Sequence, residues 1–136
     1  DTTTGDASRR ENYPIKWEMQ MCALNNLLSY RRTLDLSVEF YELSEQSDIK
    51  GNLRDQLLRA ASSISLNLAE GNAKRTVAEK KRYYHTAYAS CQECKTVLRL
   101  AKIQDSKINQ VVDHLGASLF KLLKAEIRSI QDSVYG

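Results

Sequence analysis

Residues Leu53–Ala101, LRDQLLRAASSISLNLAEGNAKRTVAEKKRYYHTAYASCQECKTVLRLA, decide the reading of the chain. Leu53, Leu57, Ala60, Ile64 and Leu68 recur every three or four residues, which predicts a helix over about 53–70 with one apolar face. Beside that face runs a row of small residues, Ala61, Ser62, Ser65 and Ala69, which lets a neighbouring helix approach closely. Gly71 stands where a left-handed C-terminal cap is expected. A basic loop, Gly71 to Arg75, follows. Thr76-Val-Ala-Glu79 then has the form of a capping box and predicts the start of the next helix. From Tyr84 that helix carries a heptad seam, Tyr84, Ala87, Cys91, Cys94, Leu98 and Ala101, and is expected to end near Gln104.

Two further helices are predicted outside this hairpin. Upstream, Leu24–Glu45 carries a stripe of Leu27, Tyr30, Leu34, Val38 and Tyr41, widened by Leu36, Phe40 and Leu43. Asp48–Asn52 reads as a loop, with Gly51 for the turn and Asn52 as N-cap. Downstream, Asp105 or Ser106 caps a helix reaching about Asp132. Its stripe is Ile108, Val112, Leu115, Leu119 and Leu122, continued by Leu123, Ile127, Ile130 and Val134. Gly116 inside that helix costs up to about 1 kcal/mol relative to alanine and predicts a tight contact. Residues 1–22 read as a polar N-terminal tail, with a short helix near its end after Pro14; residues 23–136 read as the bundle. Four amphipathic helices with short connections predict one all-α domain, an antiparallel up-down-up-down four-helix bundle.

Composition narrows the function classes. One proline and five glycines in 136 residues argue against a β-rich or loop-rich fold. No apolar run is long enough for a membrane span, and Asp1–Gln20 lacks the apolar centre of a signal peptide. The first residue is Asp rather than Met, which points to a trimmed chain or a fragment. Three cysteines without a framework spacing are expected to be reduced, as in the cytosol. The net charge of +3 is unevenly spread: residues 1–50 hold six basic and nine acidic side chains, and residues 51–136 hold fourteen and eight. The basic surplus therefore sits on the hairpin and the last helix, where it can attract a polyanion.

Several constellations carry possible chemistry. Cys91-Gln-Glu-Cys94, with His85 six residues earlier, invites a metal or redox reading. Both cysteines fall on the core seam, however, and His85 falls on another face, so small core residues are expected and no metal. No nucleophile sits beside a base on a strained turn, and no phosphate-binding glycine motif occurs, so neither an enzyme nor a cofactor is expected. The basic hairpin is the strongest candidate: Lys74 and Arg75 on the loop, Lys80, Lys81 and Arg82 on the first turns of the next helix, and Arg54 and Arg59 from the preceding one. Such cations contact phosphates, and Tyr83 or Tyr84 could stack on an unpaired base. Asn67, Glu70, Ser90 and Glu93 are polar groups near apolar stripes and are expected to form an interhelical or intersubunit network.

Arg59-Ala-Ala-Ser-Ser-Ile-Ser-Leu-Asn-Leu-Ala-Glu-Gly71, then Thr76-x-x-Glu79 and Ala89-Ser90-x-x-Glu93, resembles the four helix bundle protein family encoded by intervening sequences in bacterial large-subunit ribosomal RNA genes. The likeness extends over about Leu28–Ala125. The chain departs from the family pattern at Ser65, where a proline is usual, at Lys80, where an aromatic is usual, and at the start of the first helix, where the usual aromatics are reduced to Tyr30. The resemblance implies a bundle that assembles into a ring, typically a pentamer, without known catalysis. A sibling group, the accessory variability determinant of diversity-generating retroelements, forms a similar basic ring that works with a reverse transcriptase and its template RNA. The expectation is therefore a cytoplasmic, homo-oligomeric adaptor that binds RNA or DNA, with a reverse transcriptase as the implied partner. The alternative is an interaction ring without nucleic-acid affinity.

Overall fold

The structure is a computed structural model that describes the backbone of residues 2–135 and the side chains of residues 17–125. Four helices follow in order: α1 Thr2–Glu45, α2 Gly51–Ala73, α3 Val77–Leu100 and α4 Ser106–Tyr135. Each helix packs against the next, and α1 packs against α4, so the four close into an antiparallel square with no diagonal contact among the described residues. This is the expected four-helix bundle. Helix α1 starts well before Leu24, and residues 17–24 continue it with exposed side chains. The backbone read as a polar tail over residues 1–22 is helical from Thr2, and the side chains of residues 1–16 and of the stripe residues Ile127, Ile130 and Val134 lie outside the described ones.

The core is built as the hairpin predicted. Leu57, Ala60, Ile64 and Leu68 of α2 and Tyr84, Ala87, Cys91, Cys94 and Leu98 of α3 are buried together with Ile108, Val112, Leu115, Leu119 and Leu122 of α4. Thr76 accepts the amide of Glu79 at 3.2 Å and so caps α3, the first of the two bonds of a capping box. The Asp105 carboxylate accepts the amide of Lys107 at 2.9 Å at the start of α4. Gly51 takes φ +68°, a left-handed turn that only glycine adopts without strain, and Lys50 rather than Asn52 occupies the N-cap of α2.

Helix α1 departs from its predicted stripe. Its buried line is Tyr30, Thr33, Ser37, Phe40 and Ser44, at spacings of three and four, whereas Leu34, Leu36, Tyr41 and Leu43 are half-buried and Leu27 and Val38 are exposed. Hydroxyls can occupy a core line because each returns its proton to its own helix. Thr33 donates to the Ser29 carbonyl at 2.7 Å, Ser37 to the Leu34 carbonyl at 2.7 Å, and Ser44 to the Phe40 carbonyl at 2.8 Å. Thr33 and Ser37 also meet hydroxyls across the interfaces. Thr33 lies 2.5 Å from Ser118 of α4, and Ser37 lies 2.8 Å from Ser65 of α2. Small, satisfied side chains bring the backbones together without leaving a buried donor unpaired.

Gly71 and Gly116 also differ from a simple reading. Gly71 is not a left-handed cap; it lies inside α2 and is buried. A Cβ there would meet Tyr84 Cε1 at 2.7 Å and Cδ1 at 2.9 Å, so the glycine is needed for the buried Tyr84 ring to pass. Gly116 does mark the tight contact expected of it, but a Cβ there would meet mainly the flexible tip of Lys95, Nζ at 2.9 Å. The same substitution should therefore act with opposite signs. Gly71→Ala should cost about 1–3 kcal/mol through overpacking. Gly116→Ala should be neutral or stabilise by up to about 1 kcal/mol through helix propensity. Chemical denaturation of both variants checks the pair, and a stabilised Gly71→Ala protein would contradict the packing described.

Candidate nucleic-acid interface

The α2–α3 connection, residues 74–76, lies at one end of the bundle. The hydroxyl pair Ser37–Ser65 sets the register of α1 against α2 and places α1 beyond roughly residue 29 past the end of α2. Trp17, Met21, Leu24 and Leu28 of this stretch are exposed, and Ala23, Asn26 and Leu27 line a cavity with Asn72 and Lys80 of the hairpin end. Residues 74–82 carry Lys74, Arg75, Lys80, Lys81 and Arg82 against one carboxylate, Glu79.

Not every cation there is available. The Lys80 ammonium donates to the carbonyls of Asn72 at 2.9 Å and Gly71 at 3.4 Å, satisfying the last turn of α2. Lys74 pairs with Glu70 at 3.8 Å and lies over the Tyr83 ring at 5.2 Å. Among the described residues, the side chains of Arg75, Lys81 and Arg82 make no hydrogen bond or ion pair, so these three are the unspent charges. Arg59 is exposed partway along α2. Arg54 does not join the group. It lies at the opposite end of α2, roughly 30 Å from Lys74 at 1.5 Å per residue. There its guanidinium donates to the carbonyls of Glu45 at 2.9 Å, Ser47 at 3.3 Å and Ile49 at 3.5 Å. Arg54 thus closes the C-terminus of α1 and is structural.

The anticipated polar network is half present. Ser90, which is buried, meets Ser63 of α2 at 3.0 Å, and the Asn67 amide donates to the Ser63 hydroxyl at 3.0 Å and carbonyl at 2.8 Å. Ser63, overlooked in the sequence, is its centre. Glu70 turns outward to Lys74, and Glu93 is exposed.

Cys91 and Cys94 are wholly buried, and Cys22 is exposed. Burial pushes the Cys91 thiol up to about 11 and raises that of Cys94 further. Neither is a nucleophile at neutral pH. Among the described residues no three His, Cys, Asp or Glu side chains converge as metal ligands, and no helix is long and apolar enough to cross a membrane.

A second cationic cluster was not legible in the sequence. Arg32 on α1 and His114 and Lys121 on α4 line one groove with Ser29, Leu36 and Ser118. Only the register of the first helix against the last brings them together.

Iodoacetamide at pH 8 should label Cys22 alone in the native chain and all three cysteines after unfolding, read by mass. The raised Cys91 thiol keeps its proton in the fold and loses it more readily when unfolded. Stability should therefore hold below pH 9 and fall as pH rises from about 9 to 11. Arg54→Ala should cost about 1–2 kcal/mol in denaturant unfolding through the exposed carbonyls it leaves.

The protein-family model described as 23S rRNA-intervening sequence protein matches residues 25–128. No curated protein matches the chain significantly. Among solved structures, a protein of unknown function from the S23 ribosomal protein family of Bacteroides thetaiotaomicron, solved at 1.70 Å, superposes with a TM-score of 0.55 at 18% identity, over 78% of this chain and 97% of that one. At that identity the likeness supports the fold. The family match covers α1 from residue 25 onward and all of α2 and α3, and reaches into α4 past its buried stripe, the stretch whose packing is described above. The chain belongs to the 23S rRNA-intervening sequence protein family.

Proposed function

We propose that the chain is a non-enzymatic, homo-oligomeric adaptor of the cytoplasm that binds RNA or DNA through the basic end of its bundle. The observation that carries this reading is the set of unspent cations Arg75, Lys81 and Arg82, which stand at the hairpin end with no carboxylate paired to them among the described residues. Cations so placed neutralise backbone phosphates and release counterions, which gives affinity without sequence choice. Tyr83, half-buried beside Lys74, supplies a ring edge at the same end.

Oligomer formation is supported by apolar surface that one copy does not cover. Leu66 is 65% exposed and Val38 45% exposed, and with Tyr41, Ser62 and Ser65 they line a cavity of about 260 Å³ on the α1–α2 face. The occupant proposed is a second copy of the chain, because small hydroxyl residues flanked by Leu and Val suit a helix of the same kind. The pentameric count and a reverse transcriptase partner come from the family resemblance alone and are part of the proposal. An interaction ring without nucleic-acid affinity is the competing reading, and the exposed Trp17–Leu28 stripe favours it to the extent that a protein rather than RNA covers that stripe.

Fluorescence anisotropy with a labelled structured RNA at several salt concentrations tests the proposal. Affinity should fall steeply with salt, and the triple variant Arg75→Ala, Lys81→Ala, Arg82→Ala should flatten the slope of log K against log salt by about 2–3. Binding that is indifferent to salt, or unchanged in the triple variant, would overturn it.

A further inference from the structure

We infer that the groove between α1 and α4 is a phosphoryl-anion site held by Arg32, Lys121 and His114. The residues reach it from two antiparallel helices at helical spacing: Ser29, Arg32 and Leu36 from one wall, and His114, Ser118 and Lys121 from the other. Thr33 and Ser118, in hydrogen-bond contact across the interface, fix the register of the two walls. His114 and Lys121 are two turns apart, roughly 10 Å along the axis, and Arg32 faces them from between.

Proton accounting defines the donors. Thr33 commits its hydroxyl proton to the Ser29 carbonyl, so in the Thr33–Ser118 pair Ser118 must donate. Ser118 is then left with lone pairs only and cannot donate to an anion. The donors that remain are the Arg32 guanidinium, the Lys121 ammonium, the Ser29 hydroxyl and a His114 ring N–H.

No carboxylate lines the groove. Neither Arg32 nor Lys121 makes an ion pair among the described residues, whereas Lys74 and Lys95 elsewhere do. Asp113, next to His114 in sequence, is drawn to Lys95 on the other flank of α4 at 3.7 Å. Two permanent cations lining one groove with a hydroxyl and an imidazole, neither cation ion-paired among the described residues, suit a multivalent oxyanion; the planar guanidinium favours a bidentate phosphoryl group. The cavity, about 280 Å³, admits a phosphate or diphosphate with water and falls at the lower limit for larger organic ligands. The same chemistry is carried by a free phosphate and by the backbone of a nucleic acid. The site is separate from the α2–α3 end and does not depend on the function proposed for that end.

The test titrates the full chain with inorganic pyrophosphate at constant low ionic strength, following His114 ring signals by NMR and heat by calorimetry. Saturable binding that moves the His114 signals is expected. The exposed pair Arg32→Gln and Lys121→Gln should weaken it by at least about tenfold. The control Lys102→Gln and Lys107→Gln, with the same loss of charge, should change it by less than about twofold. Unsaturable shifts, or equal weakening in the control, would overturn the site. A labelled single-stranded RNA distinguishes the sources. If the groove variant also loses RNA and pyrophosphate displaces RNA from the native chain, the anion is a backbone phosphate; if only pyrophosphate responds, it is a free one, and either outcome upholds the groove. Pyrophosphate binding that persists in the Arg75, Lys81, Arg82 variant separates this site from the proposed RNA-binding end.

Discussion

The buried hydroxyl line of α1 is the constraint from which the rest of the arrangement follows. Thr33, Ser37 and Ser44 are fully buried, and each returns its proton to a carbonyl of the preceding turn. The first helix can therefore approach α2 and α4 closely at these positions, with Tyr30 and Phe40 as the bulky members of the same line. Its leucines and valine are displaced to the flanks as a result. Leu34, Leu36 and Leu43 half-cover the seams, and Val38 and Leu27 face outward. A conventional leucine seam on α1 would have held the helices further apart and left the outer face polar.

Two functional consequences come from that rotation. The outward Val38, beside Leu66 of α2, makes an apolar surface that one bundle leaves open. The Thr33–Ser118 contact also sets the α1–α4 register, which places Arg32 opposite Lys121 and His114. The basic hairpin end depends on a different local device. Gly71 admits the Tyr84 ring, Lys80 closes the last carbonyls of α2, and the Thr76 cap starts α3 at once. These contacts tie the turn to both helices, with Arg75 on the turn and Lys81 and Arg82 on the first turns of α3.

The sequence made some of this visible and hid the rest for physical reasons. The helices α2, α3 and α4 were legible because their core lines are apolar at a clean period of three and four; the same period assigned Cys91 and Cys94 to the core. The Thr76 box was legible because both partners lie within one turn. The α1 core line was not, since hydroxyl residues count as polar in any hydropathy pattern and are tolerated inside only because of bonds to their own backbone. Gly71 misled because a glycine near a helix end ordinarily caps it, whereas its reason for being here is a tyrosine on the next helix. Arg54 looked like part of the basic hairpin by its position in the chain, yet a helix of this length separates its two ends. Lys80 looked like a ligand-facing cation and serves as a helix cap. Arg32, His114 and Lys121 lie on the first and last helices, and no local pattern joins them.

Self-association, as proposed, depends on the hydroxyl packing inside α1 that leaves Val38 exposed beside Leu66. Sedimentation equilibrium of the full chain at micromolar concentration measures this directly. A mass several times the 15.5 kDa of one chain, falling to that of one chain in Val38→Lys, Leu66→Lys while helicity is retained, is the predicted result. A native chain that sediments as a monomer throughout, or an assembly indifferent to both lysines, would contradict it.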